Sequence, residues 1–553
     1  MVLYDYDFDP RYSKPVAYFC MEFAIHQALK TYSGGLGFLA GSYMRSAYDL
    51  RQNIVGIGIL WSFGYYDQGR NEDRSMKVEF IRKHYYFLKD LGIRATVKIH
   101  GKDVFVKAYY LPPDVFSSAP VIFLSTDIPE NDFLARTITH KLYDMNEETR
   151  ISQEIILGIG GVKVLDALGH KVECYHMNEG HALPMVYELY KRYGSLDALR
   201  EHIVFTTHTP EVAGNEEHDL ELLERFGFFN GLDWETAHKI TGTSSGRFSL
   251  TLGALRASKI TNAVSKMHAE VANRMWEGYE GVCKIIAITN AQNRRFWTDK
   301  DMLSALDNHE DYALVARKKH LKRVLFNIVA DQTGKVFDPD ILTIVWARRF
   351  AEYKRPGLLK RDFERFRKLV EREEMPIQVI WAGKPYPFDS NAINLFNELI
   401  HISHDYKRMA VLVGYELDLS QVLKKGSDIW LNTPRVSREA SGTSGMSASM
   451  NGTLHFSTDD GWHPEFCIEG VNAFTIPPID HTTPTEVQDM EDNRNMMDIL
   501  EKQIIPLYYE RQEQWMQMMK RAMSDVIPAF DSGRMAHEYY EMMYTSAYEC
   551  PVK

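Results

Sequence analysis

The stretch REASGTSGMSASMNG, from Arg438 to Gly452, combines a carboxylate (Glu439), a run of small residues and a helix start. That combination suits the floor of a sugar-phosphate site. Small side chains let a ligand approach backbone amides, and an acid can grip a hydroxyl. A second stretch, WARRFAEYKRP, packs Arg348, Arg349, Lys354 and Arg355 into eight residues just past a buried-strand pattern. Arginine supplies a planar fork and lysine a point charge, which together suit a phosphate or diphosphate. Glycosyl transfer from phosphate needs such a clamp, because negative charge builds on the leaving oxygens. A third stretch, YSGGLGFLAG, opens a helix, and Gly34, Gly35 and Gly37 would let backbone amides approach an anion. On its residues alone it reads equally as a tight turn with close helix–sheet packing. No Gly-Lys-Ser/Thr follows, so it is not a nucleotide P-loop.

HMNEGHA (176–182) and FTTHTPEVAGNEEHD (205–219) also follow buried-strand patterns. His181, His208 and His218 lack the i, i+4 spacing of an HExxH zinc site, so no metal is expected. Hydrogen bonding to a sugar is the expectation for His208. Glu179 and His181 suit strand-end capping as well as function.

These residues need a scaffold, and the chain alternates short β-branched runs with longer helical patterns. VAYFC, VECYHM, IVFTTH, KITNAVS and KIIAIT are followed later by ILTIVWA, IQVIWAG, MAVLVG and DIWLN. Buried strands spaced about 20–40 residues apart with helices between them read as βαβ units on parallel sheets. Between Ile93 and Asp127 three strand patterns lie close together, as in a β-meander. The expected fold is α/β, with two doubly wound, Rossmann-like lobes. The first spans 1–315 and the second 316–490, and a helical segment, 491–553, packs back across them. A charged helix over about 303–329 bridges the halves. Ligands of open α/β sheets sit at the carboxyl ends of strands, here expected in the interlobe cleft.

Composition narrows the function classes. The chain has 553 residues, and at roughly 100–200 per domain that implies two or more domains. Net charge is −11 without a basic block, against a nucleic-acid partner or an electrostatic grip on anionic membrane. Five scattered cysteines fit reduced thiols. The acidic, aromatic start MVLYDYDFDPRYSKP is no signal peptide, and no apolar run of about 18 residues occurs. The expectation is a soluble, cytoplasmic enzyme.

With YFCMEFAIHQALKTYSGGLGFLAG, HMNEGHA, FTTHTPEVAGN, ITNAQNRRFW, WARRFAEYKRP, WAGKPYP and WLNTPRVSREASGTSGM in this order, the sequence resembles the glycogen (α-glucan) phosphorylase family in its short bacterial and archaeal branch. The likeness runs from about Val16 to Phe466. It implies a GT-B fold and retaining transfer of α-glucosyl groups. By the resemblance, Gly34 and Gly35 approach the substrate phosphate, and Arg349 and Lys354 clamp it with Arg348 beside them. His208, Asn290, Glu439, Ser441 and Gly442 are implied contacts to the sugar. Glucan or oligosaccharide acceptors and a candidate homodimer are the implied partners.

The sequence also departs from the family pattern. It begins almost directly at the first catalytic-lobe strand, and Ala291 stands where the family usually has glycine. Ser447 stands where the family's lysine holds pyridoxal phosphate as a Schiff base, and no lysine lies between Lys425 and Lys502. Serine has no amine to form that bond. Three readings follow. The chain is a glucosyltransferase with a nucleotide-sugar donor whose diphosphate the Arg349/Lys354 clamp receives. Alternatively it is a phosphorylase using glucose 1-phosphate, with pyridoxal phosphate held noncovalently by Thr443 and Ser444. In the third it is a non-catalytic glucan-binding protein.

Overall fold

The computed structural model describes residues 3–211, 214–242, 246–480 and 483–547. They group into two compact units, one of Met1–Tyr66, Phe80–Asn290 and Ser532–Lys553, the other of Asp67–Glu79 and Ala291–Asp531.

The first unit is built on a nine-stranded sheet. Its spatial order is Lys284–Ala287, Ile260–Ala263, Ile203–Thr206, Cys174–Asn178, Val16–Phe19, Ile54–Ile59, Val121–Ser125, Lys102–Leu111 and Lys89–Ile99. The strands from Lys284–Ala287 to Val121–Ser125 are parallel. Five of them, VAYF, IVGIGI, VIFLS, CYHMN and IVFT, are buried at every position, so both faces need apolar or hydrogen-bonded residues. The last two strands run antiparallel and extend the sheet edge. The expected meander is therefore a continuation of the main sheet. The chain starts at Val16–Phe19, winds one way to Val121–Ser125, then returns and winds the other way from Cys174–Asn178. Its direction changes between Val16–Phe19 and Cys174–Asn178, where Val16 pairs with Cys174.

The second unit repeats the plan with six parallel strands, in the order Met409–Leu412, Ile377–Ala382, Leu342–Ala347, Ile429–Asn432, Leu454–Thr458 and Ala473–Ile476. Here the direction changes between Leu342–Ala347 and Ile429–Asn432, with Ile344 opposite Ile429. Val345, Ala347, Ile380, Ala410 and Trp430 pack with Leu325, Phe326 and Val329 of helix Asp311–Thr333 in one apolar core. Asp389 caps helix Ser390–His404 by accepting from the Ala392 N–H, an interaction worth about 1 kcal/mol.

These units differ from the expected boundaries 1–315, 316–490 and 491–553. Helices Lys300–Asp307 and Asp311–Thr333 belong wholly to the second unit, where the longer packs on helix Leu417–Gly426. The hairpin Asp67–Arg70/Met76–Glu79 also belongs there: Gln68 donates to Gly383 O and accepts from Gly414 N, and Asn397 accepts from Met76 N. The tail divides. Helix Gln512–Phe530 stays in the second unit, and Ser532–Tyr539 packs on helix Gly35–Asp49 of the first through a Ser46–Ser532 hydrogen bond, with Tyr544 of the following turn bonded to Tyr43. Local sequence could not reveal these exchanges, because side-chain partners hundreds of residues away decide them.

Candidate functional site

In the second unit, the loop after Leu342–Ala347 and the loop after Ile429–Asn432 leave the sheet at its topological switch point, where open α/β sheets bind ligands. The first loop brings Arg348 and Lys354, the second Glu439. Arg348 Nη2 lies 2.8 Å from Glu439 Oε2, and Lys354 Nζ lies 2.9 Å from the same oxygen. All three side chains are largely buried. Burial alone would raise the Glu439 carboxyl, but Arg348 and Lys354 outweigh it and hold it at about 2. Burial, aided by the Arg348 charge, brings the Lys354 amine down to about 7. One carboxylate thus faces two cations. Arg348 also has Nε and Nη1 buried without a hydrogen-bond partner, a costly state that an anion would relieve.

Of the other cations in this run, Arg349 is exposed, and its charge still helps to lower Lys354. Arg355 is structural. At φ 49° it turns into Asp489 and Asp492 at 3.0 and 2.6 Å and donates to Thr433 O and Pro434 O. Arg348 is thus the cation that shares Glu439 with Lys354.

The rest of the REASGTSGM stretch shapes the same cluster. Gly442 has φ +76°, and a Cβ there would sit 3.4 Å from Glu439 Cγ and 3.6 Å from Arg348 Nη2. Only glycine adopts that backbone cheaply while leaving the space clear. Ser441 is buried and its Oγ has no partner. Ser444 begins the helix Ser444–Ser449, and its Oγ accepts from Trp430 Nε1, while Thr443 O accepts from the Ser447 Oγ. Ser447 is fully buried, with its hydroxyl also donating to Ser444 O and its carbonyl accepting from Asn451.

In the first unit, Gly34 and Gly35 stand at the N-terminus of helix Gly35–Asp49, and a Cβ at either would meet nothing within 4 Å. Glu22 holds this loop: Ser33 N and Gly34 N donate to its Oε2 at 2.6 and 3.1 Å. Gly37 and Gly41 have a different job, since a Cβ would lie 2.6 Å from Tyr32 Cβ and 2.0 Å from Ala24 O. Close helix packing therefore accounts for Gly37 and Gly41.

His208 and Glu179 follow neighbouring strands. His208 N donates to Glu179 Oε1 at 2.6 Å, and its Nε2 lies 2.7 Å from Asn178 Oδ1. Burial keeps the imidazole neutral, at about 3, so Nε2 carries the donated proton. Asn290 is buried with Oδ1 unpartnered. His181 and His218 do not join His208 in one cluster; both approach Glu216.

Sequence reasoning missed Glu22 and Asp460. Asp460 is buried and accepts from Arg438 N and Glu439 N through Oδ2, which fixes the backbone that presents Glu439. Its carboxyl is raised to about 7 by burial against the pull of those amides. The run DDGWHP gave an acid after a buried strand, but nothing in its spacing pointed to Glu439.

Residues 260–503 match the model of the carbohydrate phosphorylase family. The chain is 49% identical over 532 residues to an uncharacterized protein of Methanocaldococcus jannaschii, covering 96% of this chain and all of that one. It is 31% identical to maltodextrin phosphorylase of Thermococcus litoralis, over 97% of this chain and 71% of the relative. It is 30% identical to glycogen phosphorylase of Aquifex aeolicus, over 97% of this chain and 87% of the relative. Among the described residues no helix is long and apolar enough to cross a membrane. The chain belongs to the carbohydrate phosphorylase family, and as a member it is a hexosyltransferase.

Proposed function

We propose that this protein moves α-glucosyl groups, with retention, between an α-1,4-glucan and phosphate. One observation supports this above others: the buried cluster in which Arg348 and Lys354 share the single carboxylate of Glu439, with Arg348 Nε and Nη1 unpartnered. A phosphate placed there gains two cations in a low-dielectric site, where such contacts are strongest. In the reaction, a phosphate oxygen bonds to the anomeric carbon on the face that the leaving glycosidic oxygen vacates. The phosphate's proton passes to that leaving oxygen. Arg348 and Lys354 hold the phosphate, with Arg349 as a further contact. Glu439, Ser441 and Gly442 are assigned to the sugar. The GT-B reading belongs to the same proposal, supported by family membership and two doubly wound sheets.

The resemblance implies pyridoxal phosphate, and the residues fit it only in part. The free donors of Arg348 suit a phosphate group. An imine needs an amine at position 447, where Ser447 is buried and hydrogen-bonded to its own helix. Ser444 Oγ is likewise engaged by Trp430. The residues therefore do not fit the covalently held cofactor, and the step above is not routed through it.

Ser447 favours a second reading. Without an imine-bound cofactor, the second phosphate of a nucleotide sugar would supply the missing anion, and the leaving diphosphate would accept the acceptor's proton. The experiment is direct. Purified protein is incubated with maltodextrin and phosphate, and glucose 1-phosphate is measured. In parallel, maltodextrin extension is followed from glucose 1-phosphate and from nucleoside-diphosphate glucoses. Glucose 1-phosphate release without added cofactor is expected. Extension only from a nucleotide sugar would overturn the first reading in favour of the second, and no transfer in any arm would overturn both.

A further inference from the structure

Away from these loops, a separate cluster forms in the first unit. Helix Glu147–Ile155 places Glu147, Arg150 and Glu154 on one face, and the short strand Glu217–Asp219 carries His218, with Glu216 just before it. One donor atom each of Glu154, Glu216 and His218 lies within 4.8 Å of the other two. His218 Nε2 is 3.3 Å from Glu154 Oε1 and 3.4 Å from Glu216 Oε1. These distances are long for buried charge-assisted hydrogen bonds, which run about 2.7–2.9 Å. They match the edge, about 3.3–3.4 Å, of a tetrahedron whose metal–ligand bonds are about 2.0–2.1 Å.

Two further observations point to a cation. His218 Nδ1 lies 3.0 Å from Glu147 Oε1, the carboxylate–histidine pairing that orients a ring so that its other nitrogen faces a metal. Glu154 is fully buried, and its Oε2 has no hydrogen-bond partner. The second oxygen of Glu216 is taken by Arg150 at 2.5 Å, with His181 Nε2 at 3.8 Å. A metal would take the place of the His218 proton, after which the three carboxylates and Arg150 leave two negative charges for a divalent ion to cancel. Glu147 is half exposed, so the site has a route to solvent.

We propose that Glu154, Glu216 and His218 bind one divalent transition-metal ion of the zinc type, with water completing a tetrahedron. One imidazole and two carboxylates make a nitrogen–oxygen set that suits such an ion. The ion would tie helix Glu147–Ile155 to the strand that ends the His208-bearing segment, a structural role outside the transfer chemistry. The expectation of no metal came from testing histidines against one another. The fold instead supplies Glu154, 64 residues from His218 in the chain.

The test uses the full chain, stripped with chelator and reloaded with zinc or cobalt(II) alone. About one equivalent of zinc is expected to survive desalting, with a rise in Tm. Cobalt should give the intense visible absorption of a tetrahedral site without thiolate charge-transfer bands. Glu154→Gln, which keeps volume, and His218→Ala should each weaken zinc binding by more than the roughly 100-fold upper cost of losing an outer-shell partner. Failure of the parent chain to retain the metal, a cobalt spectrum with thiolate bands, or unchanged affinity in both variants would overturn the proposal. The parent-chain measurements decide even if a variant fails to fold.

Discussion

Each unit places an internal carboxylate where an anion is expected, yet the two are held by different chemistry. In the first unit Glu22 accepts from the neutral amides of Ser33 and Gly34 and from the Tyr143 hydroxyl at 2.6 Å. In the second, Glu439 faces the Arg348 guanidinium and the Lys354 amine, and two nitrogens of Arg348 remain unpartnered. Amides can be satisfied by one carboxylate. A buried guanidinium with two free donors is not satisfied by one, so the second cluster keeps room for a further acceptor. The difference is that Glu22 is met by neutral donors, whereas Arg348 keeps two buried nitrogens that a further acceptor would satisfy.

The largest expected effect breaks the second cluster. Arg348→Ala should lower kcat/KM for glucan and phosphate by about 10³-fold, the size expected for losing a transition-state charge contact, measured by glucose 1-phosphate release. Next comes Glu439→Gln, read by urea midpoints against pH. The Glu439 carboxyl is depressed from 4.5 to about 2, so its contribution is complete above about 4.5 and is lost as pH falls toward 2. Relative to the variant, the parent chain should lose on the order of a few kcal/mol across that window. A variant with the same acid limb as the parent would contradict the pairing.

Smaller effects probe the first unit. Gly37→Ala should destabilise by about 1–3 kcal/mol, because its Cβ would press on Tyr32 Cβ at 2.6 Å. Gly34→Ala, with φ −173° and open space, should stay within about 0.5 kcal/mol; thermal melts of the pair separate the packing glycine from the approach glycine. Glu22→Gln should cost about 1–2 kcal/mol through weaker bonds to Ser33 N and Gly34 N, without altering how phosphate stabilises the protein.

Much of the fold was legible because fully buried parallel strands such as LTIVWA and IQVIWA announce themselves as unbroken apolar runs. The rise of Arg348, Lys354 and Glu439 from strand ends was legible for the same reason. Which cation serves the ligand was not. Arg348 and Arg355 look alike in sequence, and the positive φ of Arg355 together with Asp489 and Asp492 decides that it is structural. Glu22 and Asp460 act by accepting from backbone amides, which leaves no side-chain pattern to read. The Glu154–Glu216–His218 cluster depends on a helix and a distant strand meeting, which periodicity alone does not encode.

The central claim is that the Arg348–Lys354–Glu439 cluster is the phosphate site. Titrating inorganic phosphate while following Tm for the parent chain, Arg348→Ala and Glu22→Gln tests it most directly. The account predicts saturable stabilisation in the parent and in Glu22→Gln, and loss of that stabilisation in Arg348→Ala. Equal stabilisation of a folded Arg348→Ala variant, or its loss in Glu22→Gln alone, would contradict it.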